Sequence, residues 1–205
     1  ALVMSRLGAA GFPAPRVHAL CEDDAVIGSW FFVMDLVEGR IFWDGGFPGV
    51  PREERPAYFD AMNATLAQLH SFDPAAIGLG EYGKPGNYFE RQIGRWSQQY
   101  RASETEKIEA MDKLIEWLPR NIPAGDETSI VHGDYRLDNM VFHPTEPRVL
   151  AVLDWELATL GHPYADLAYN CMSYHLPAGH EIAAGFVGAD IAALVWDAIE
   201  ARRRA

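Results

Sequence analysis

The sequence predicts an α+β protein that is mostly helical, with a small hairpin of short strands in its C-terminal third. Three observations predict it. Apolar residues recur at helical spacing through residues 51–118. Residues 140–142 and 149–153 are short β-favouring runs, and Pro144 and Pro147 break the chain between them. Near the start, residues 30–36 form an almost unbroken apolar run of strand length.

The elements follow in order. Leu2, Val3 and Leu7 make a short helical pattern that Gly8 and Gly11 stop. Phe12-Pro13-Ala14-Pro15 is a stiff extended connector. Residues 16–21 read as a strand and Glu22-Asp23-Asp24 as a turn. Residues 30–36 read as a second strand, expected to be buried on both faces, ending at Val37-Glu38-Gly39. After a glycine-rich loop at 45–49, Pro51 suits the first turn of a helix whose Phe59, Met62, Leu66 and Leu69 share one face. His70 closes that helix and reads as a packing residue. Tyr88, Ile93, Trp96 and Tyr100 mark the next helix. Ser103-x-x-Glu106 reads as a capping box for a further one, lined by Ile108, Met111, Leu114, Ile115 and Leu118. Arg91, Arg95 and Arg101 read as a solvated face. Residues 164–174 are expected to be helical with Asp166 in the first turn, where an acid suits the positive helix end. Residues 183–186 and 191–199 read as short helical stretches, and Arg202-Arg203-Arg204 as a solvated terminus.

Composition limits the function. The 205 residues are 49% hydrophobic and 22% charged, enough for a core of one domain or two small lobes. A formal net charge of −12 argues against nucleic acid or an anionic membrane as partner. Cys21 and Cys171 lack metal or redox spacing and read as buried free thiols of a reducing compartment. No leader pattern opens the chain and no apolar run reaches membrane-spanning length, so a cytoplasmic location is expected.

The chemistry concentrates in residues 130–168. A β-branched run ends in His132-Gly133-Asp134, where glycine permits a sharp turn. Asn139 opens one strand of the hairpin and Asp154 closes the other, so the hairpin brings them together. Both supply oxygen ligands of the kind Mg²⁺ prefers, and Asp134 is left to accept a proton from a hydroxyl. That division of labour suits phosphoryl transfer. A zinc hydrolase is the rival, since His132, Asp134, His143, Asp154 and His162 are a tempting set. It is disfavoured because no His-x-His or His-Glu-x-x-His occurs.

His132-Gly133-Asp134 with Asn139, followed by Leu153-Asp154-Trp155-Glu156 and then Gly161-His162-Pro163-x-x-Asp166-Leu167-Ala168, resembles the aminoglycoside phosphotransferase and choline kinase-like superfamily. Gly86-Asn87-Tyr88, Arg91-Gln92-Ile93, Arg95-Trp96, Gln99-Tyr100 and Glu116-Trp117-Leu118-Pro119 resemble its branch associated with acyl-CoA dehydrogenases. The resemblance covers residues 1–176 and implies a protein-kinase-like fold. It has a truncated N-lobe sheet with a hinge in residues 1–38, and a helical C-lobe in 39–205 carrying the catalytic block. It implies an enzyme that uses Mg²⁺ and ATP to phosphorylate a hydroxyl of a small metabolite. A hydroxyacyl group or its CoA ester is the expected acceptor, and an aminoglycoside the alternative. It implies Asp134 as catalytic residue, Asn139 and Asp154 on metal, and the backbone of Met34, Asp35 and Leu36 on the nucleotide. His132 and Asp166 would support the catalytic loop.

The sequence departs from that pattern at its start. No glycine-rich phosphate loop precedes Arg16, and Lys84, Lys107 and Lys113 all fall in the helical region. The expectation is therefore a chain weak or inactive in catalysis, acting at the limit as a nucleotide-binding scaffold. Its first strand, lacking neighbours, would favour a homodimer.

Overall fold

The computed structural model describes residues 1–177 and 185–188. Helix α1 (Leu2–Ala9) turns Val3, Met4 and Leu7 into the core. The chain leaves it through Gly11, whose φ of +86° suits glycine. The connector then docks on the later hairpin: the Val152 N–H donates to the Pro13 carbonyl at 2.9 Å.

Strands β1 (Val17–Cys21) and β2 (Phe31–Met34) pair antiparallel, Val17 opposite Met34 and Cys21 opposite Phe31. The turn between them is held in part by the Asp23 carboxylate, which accepts the Ala25 N–H at 2.9 Å. The burial expected of residues 30–36 is not found. Trp30 is 65% exposed and Leu36 88%, and Phe32, Val33 and Met34 are exposed as well. Among the described residues β2 pairs with β1 alone, and a two-stranded ribbon cannot cover its own faces. An apolar run reports a tendency to be buried, not what lies against it. Cys21 and Cys171 are free but only half-buried, Cys21 on this two-stranded ribbon and Cys171 at the start of the 3₁₀ turn Cys171–His175.

After a 3₁₀ turn at Arg52–Glu54, helix α2 (Arg55–Ser71) buries Tyr58, Met62, Leu66 and Leu69 at helical spacing. Helices α3 (Tyr88–Ser103) and α4 (Glu109–Trp117) bury no residue fully, so the inner face expected for α4 is only partly covered. Nor does Ser103 cap α4. It is the last residue of α3, and its hydroxyl donates to the Gln99 carbonyl at 2.9 Å. A serine hydroxyl readily bonds back one turn in a helix already formed, and the S-x-x-E pattern does not distinguish the two uses.

Four short strands complete the sheet elements. Strands β4 (Met140–Phe142) and β5 (Val149–Val152) form the antiparallel hairpin, Met140 opposite Val152. Strands β3 (Ser129–Val131) and β6 (Thr159–Gly161) pair antiparallel, Ile130 opposite Leu160. Arg40 extends the hairpin edge by exchanging two 2.8 Å backbone bonds with Phe142. The approach requires Gly39: a Cβ there would lie 2.3 Å from the Phe142 carbonyl oxygen.

The core joins α1, Phe12, α2 and the short strands in one cluster. At its centre Phe42 packs edge-on against Phe47, Tyr58 and Phe142, with centroids 5.0 to 5.6 Å apart. Helix α5 (Tyr164–Asn170) continues as a 3₁₀ turn at Cys171–His175. Gly185 and Phe186 are not helical. The Phe186 N–H donates instead to the Ser173 carbonyl at 2.8 Å. The remainder of that expected stretch, the stretch over 191–199 and the terminal arginines lie outside the described residues.

Candidate active site

The site grows from the end of β3. Val131 is buried, and the chain then turns at Gly133 with φ +86°. A side chain at Gly133 would press on the Leu157 carbonyl oxygen, 2.8 Å from an added Cβ. Both features favour glycine there.

A buried carboxylate fixes the turn. Asp166, in the first turn of α5 and wholly inaccessible, accepts the His132 N–H at 2.8 Å and the Gly133 N–H at 2.8 Å. His70, at the end of α2, approaches the same carboxylate through Nε2 at 3.0 Å. Two elements far apart in sequence thus converge on the loop. Tyr135, also fully buried, donates its hydroxyl to the Met62 carbonyl at 2.7 Å and anchors the loop to α2.

His132 links the two halves of the site. Its Nδ1 accepts the Asp134 N–H at 3.2 Å, so Nε2 carries the proton and donates to the Leu153 carbonyl at 2.8 Å. Leu153 immediately precedes Asp154. Burial pushes the imidazole below its usual pKa, against smaller upward pulls from the Leu153 carbonyl and the carboxylates of Asp166, Asp134 and Asp154. Trp155 packs on the ring with centroids 4.6 Å apart, and its indole N–H donates to the Val152 carbonyl at 2.8 Å.

Asn139 ends a 3₁₀ turn, Leu137–Asn139, and is buried. Its Nδ2 donates to the Asp134 carboxylate at 2.8 Å and to the Asp134 carbonyl at 2.9 Å. With the amide nitrogen so engaged, the opposite end of the side chain is its oxygen. The Asn139 backbone carbonyl accepts the Leu153 N–H at 2.8 Å, which seats Asn139 beside the residue that precedes Asp154. Asp154 itself is exposed and left-handed, φ 60° and ψ 63°, a conformation that Asp tolerates better than most residues.

The arrangement joins Asp134 to Asn139 directly, and Asn139 through its backbone to Leu153, the residue before Asp154, on one loop and one hairpin. No group of three or more His, Cys, Asp or Glu side chains able to hold a metal occurs among the described residues. An Asn oxygen and one carboxylate suit Mg²⁺, which keeps water and phosphate in its remaining positions. They suit zinc poorly, since even a catalytic zinc site is held by three protein ligands drawn from His, Cys, Asp and Glu. Of the rival zinc set, His143 accepts the Thr145 and Glu146 N–H groups, and His162 pairs with Glu127 at 2.9 Å.

Met34, Asp35 and Leu36 lie at the end of the N-terminal ribbon. The Asp35 N–H donates to the Arg16 carbonyl at 2.9 Å and its carboxylate pairs with His18 at 2.5 Å. Leu36 stands exposed beyond the strand.

Three neighbours escaped the sequence reading. His70 appeared as packing because its partner is 96 positions away. Arg136 pairs with Asp134 and Asp138, and its position two residues after Asp134 was the available signal. Tyr169, one turn beyond Asp166 on α5, has its hydroxyl pushed up to about 12, first by burial and then by the Asp134 carboxylate. No motif marks it.

Comparison with known proteins identifies the family of the chain. Residues 2–203 match the phosphotransferase enzyme family, APH. Acyl-CoA dehydrogenase family member 10 of Mus musculus is 46% identical over 198 residues, covering 97% of this chain and 18% of that protein. A Ralstonia eutropha protein described as an aminoglycoside phosphotransferase is 55% identical with a TM-score of 0.88, covering 99% of this chain and 62% of that one. A thermostable aminoglycoside phosphotransferase mutant in ternary complex with ADP and hygromycin B is 16% identical with a TM-score of 0.61, covering 82% of this chain and 57% of that one. The α+β fold is therefore the protein-kinase-like fold of the aminoglycoside phosphotransferases. The chain spans less than a quarter of the curated relative and less than two thirds of the Ralstonia protein.

Proposed function

Because the chain belongs to the phosphotransferase enzyme family, we propose that it forms the catalytic part of an ATP-dependent small-molecule kinase that phosphorylates a hydroxyl group. The observation that carries this reading is the link from Asp134 through Asn139 to the residue preceding Asp154. Residues 1–38 would carry the nucleotide hinge, with adenine read by the backbone around Met34, Asp35 and Leu36. Residues 39–205 would carry the chemistry.

In this reading Asp134 orients the acceptor hydroxyl. The acceptor oxygen attacks the terminal phosphorus of ATP, and the bond from that phosphorus to the bridging oxygen breaks. ADP leaves with the electron pair, and the hydroxyl proton passes to the Asp134 carboxylate. Asn139 and Asp154 would hold Mg²⁺, which when bound neutralises charge on the phosphates. Asn139 also holds the Asp134 carboxylate in place, and positioning of this kind supplies much of the rate in phosphoryl transfer. His132 and Asp166 fix the loop that carries the base. The acceptor class we favour is a hydroxyacyl group or its CoA ester, in keeping with the similarity to an acyl-CoA dehydrogenase family member.

The test is ADP release from ATP and Mg²⁺ over a panel of hydroxyacyl-CoA esters, with aminoglycosides as the contrasting panel. Turnover on the esters that Asp134→Asn abolishes supports the reading. Turnover on aminoglycosides alone would overturn the acceptor class, and turnover unchanged in Asp134→Asn would overturn the assignment of the base.

A further inference from the structure

Phosphoryl transfer in this site needs positive charge, and the described cations are mostly committed elsewhere. Lys107 and Lys113 are largely exposed and pair with Asp112 and Glu109 on the helical side. Arg40 lies over the rings of Phe42 and Tyr58 and donates to the His143 carbonyl at 3.2 Å. Arg91 donates to the carbonyls of Gly86 and Lys84. Arg136 pairs beside the proposed base. Its Nε lies 3.4 Å from Asp134 Oδ1, and its terminal nitrogen lies 3.1 Å from Asp138 Oδ2. Among the described residues it is the Lys or Arg side chain found within ion-pair distance of the proposed base.

The surroundings make this cation consequential. The Arg136 side chain is 29% exposed and both carboxylates 16%, so the group can be reached yet is shielded enough for charge to matter. Asp134, Asp138, Asp154 and Glu156 all fall within residues 134–156 of a chain whose net charge is −12. A bound nucleoside triphosphate adds more negative charge to that stretch. A guanidinium matches carboxylate and phosphoryl oxygens equally well. The backbone at Arg136 is extended, φ −146° and ψ 165°, and the 3₁₀ turn begins directly after it. Asp138 sits on that turn, beside Asn139, so the carboxylate holding Arg136 adjoins the proposed metal ligand.

We propose that Arg136 is the phosphoryl-binding cation of this site, held between Asp134 and Asp138 until a terminal phosphoryl group displaces Asp138 from it. The proposal rests on the phosphotransferase reading above. Under it, Arg136 contacts the group that is transferred and keeps the base carboxylate oriented. Asp138 sets how readily Arg136 is released, which makes it a positioning residue that competes with the phosphoryl oxygens.

The experiment is calorimetric titration of the chain with Mg-ADP and with Mg-AMP-PNP, for wild type, Arg136→Gln, Arg136→Lys and Asp138→Asn, after matching their far-ultraviolet spectra. Arg136→Gln is expected to weaken AMP-PNP about tenfold while leaving ADP within about twofold, as loss of one charge-assisted pair to the third phosphoryl group implies. Arg136→Lys should recover part of that loss. Asp138→Asn should tighten AMP-PNP relative to ADP, a change that a merely structural role for either residue would not produce. Equal weakening of both nucleotides by Arg136→Gln overturns the proposal, as does an Asp138→Asn variant with an unchanged ratio. Wild type that binds neither nucleotide overturns the phosphotransferase reading, and the proposal with it.

Discussion

Replacing Asp166 by alanine should destabilise the whole chain, because that carboxylate closes the turn at His132 and Gly133 from inside the core. Its oxygens accept the His132 and Gly133 N–H groups, both at 2.8 Å, and meet His70 Nε2 at 3.0 Å. His132 and Asp166 are wholly inaccessible, so water cannot readily replace the lost acceptor. Two stranded backbone donors cost about 1–3 kcal/mol each, and the lost bond to His70 about 1 kcal/mol more. Removing a buried carboxylate returns part of its desolvation. The net loss is about 3–5 kcal/mol, a large share of the roughly 5–15 kcal/mol that holds a domain together. Asp166→Asn keeps one acceptor oxygen but turns an amide toward a donor, and should lose about half as much. Urea unfolding followed by tryptophan fluorescence reads the effect as a lower midpoint at constant slope. A midpoint for Asp166→Ala within about 0.5 kcal/mol of wild type would refute the reasoning, since that is the scatter of ordinary surface substitutions.

Three further outcomes follow from the same geometry. The buried His132 imidazole is held below its ordinary pKa, so below about pH 6.5 the unfolded chain binds the extra proton and the folded chain resists it. Stability should therefore be complete above that pH and fall as pH drops toward the folded value. His132→Gln should flatten this slope in urea midpoints measured from pH 7 to 5, and an identical slope in the variant would count against the assignment. Gly39→Ala should cost about 1–3 kcal/mol, because its Cβ would meet the Phe142 carbonyl oxygen at 2.3 Å and force the edge of the hairpin apart. Thermal unfolding measures it, and an unchanged midpoint would mean that the Arg40–Phe142 pairing is not held as described. Asp154→Ala should cost about 1 kcal/mol, because its backbone is left-handed at φ 60° and alanine suits that conformation less well than aspartate, while the exposed side chain takes no part in the core; chemical denaturation checks that before any binding experiment.

Legibility in the sequence varied with the range of the forces involved. The turn at Gly133, the hairpin of β4 and β5 and the buried face of α2 depend on neighbours a few positions apart, and periodicity and turn chemistry record those. The nearness of Asn139 to Asp154 could be read because one short hairpin joins them. The His70–Asp166 contact could not, since it spans the chain and neither residue announces the other. Residues 30–36 and 108–118 were misjudged for a related reason. Apolar spacing identifies a face, whereas burial depends on which other element covers it. Ser103 illustrates a local ambiguity: its hydroxyl can serve the helix it ends or the one to come, and only the geometry decides. Arg136 and Tyr169 surround Asp134 through side-chain reach alone, which leaves no periodic trace.

The measurement that most directly tests the central claim is calorimetric titration of this chain with ADP, with and without Mg²⁺, beside Asp154→Ala. The site described here predicts Mg²⁺-dependent binding that the variant loses. Binding that is indifferent to both Mg²⁺ and Asp154, or no binding under any condition, would contradict it.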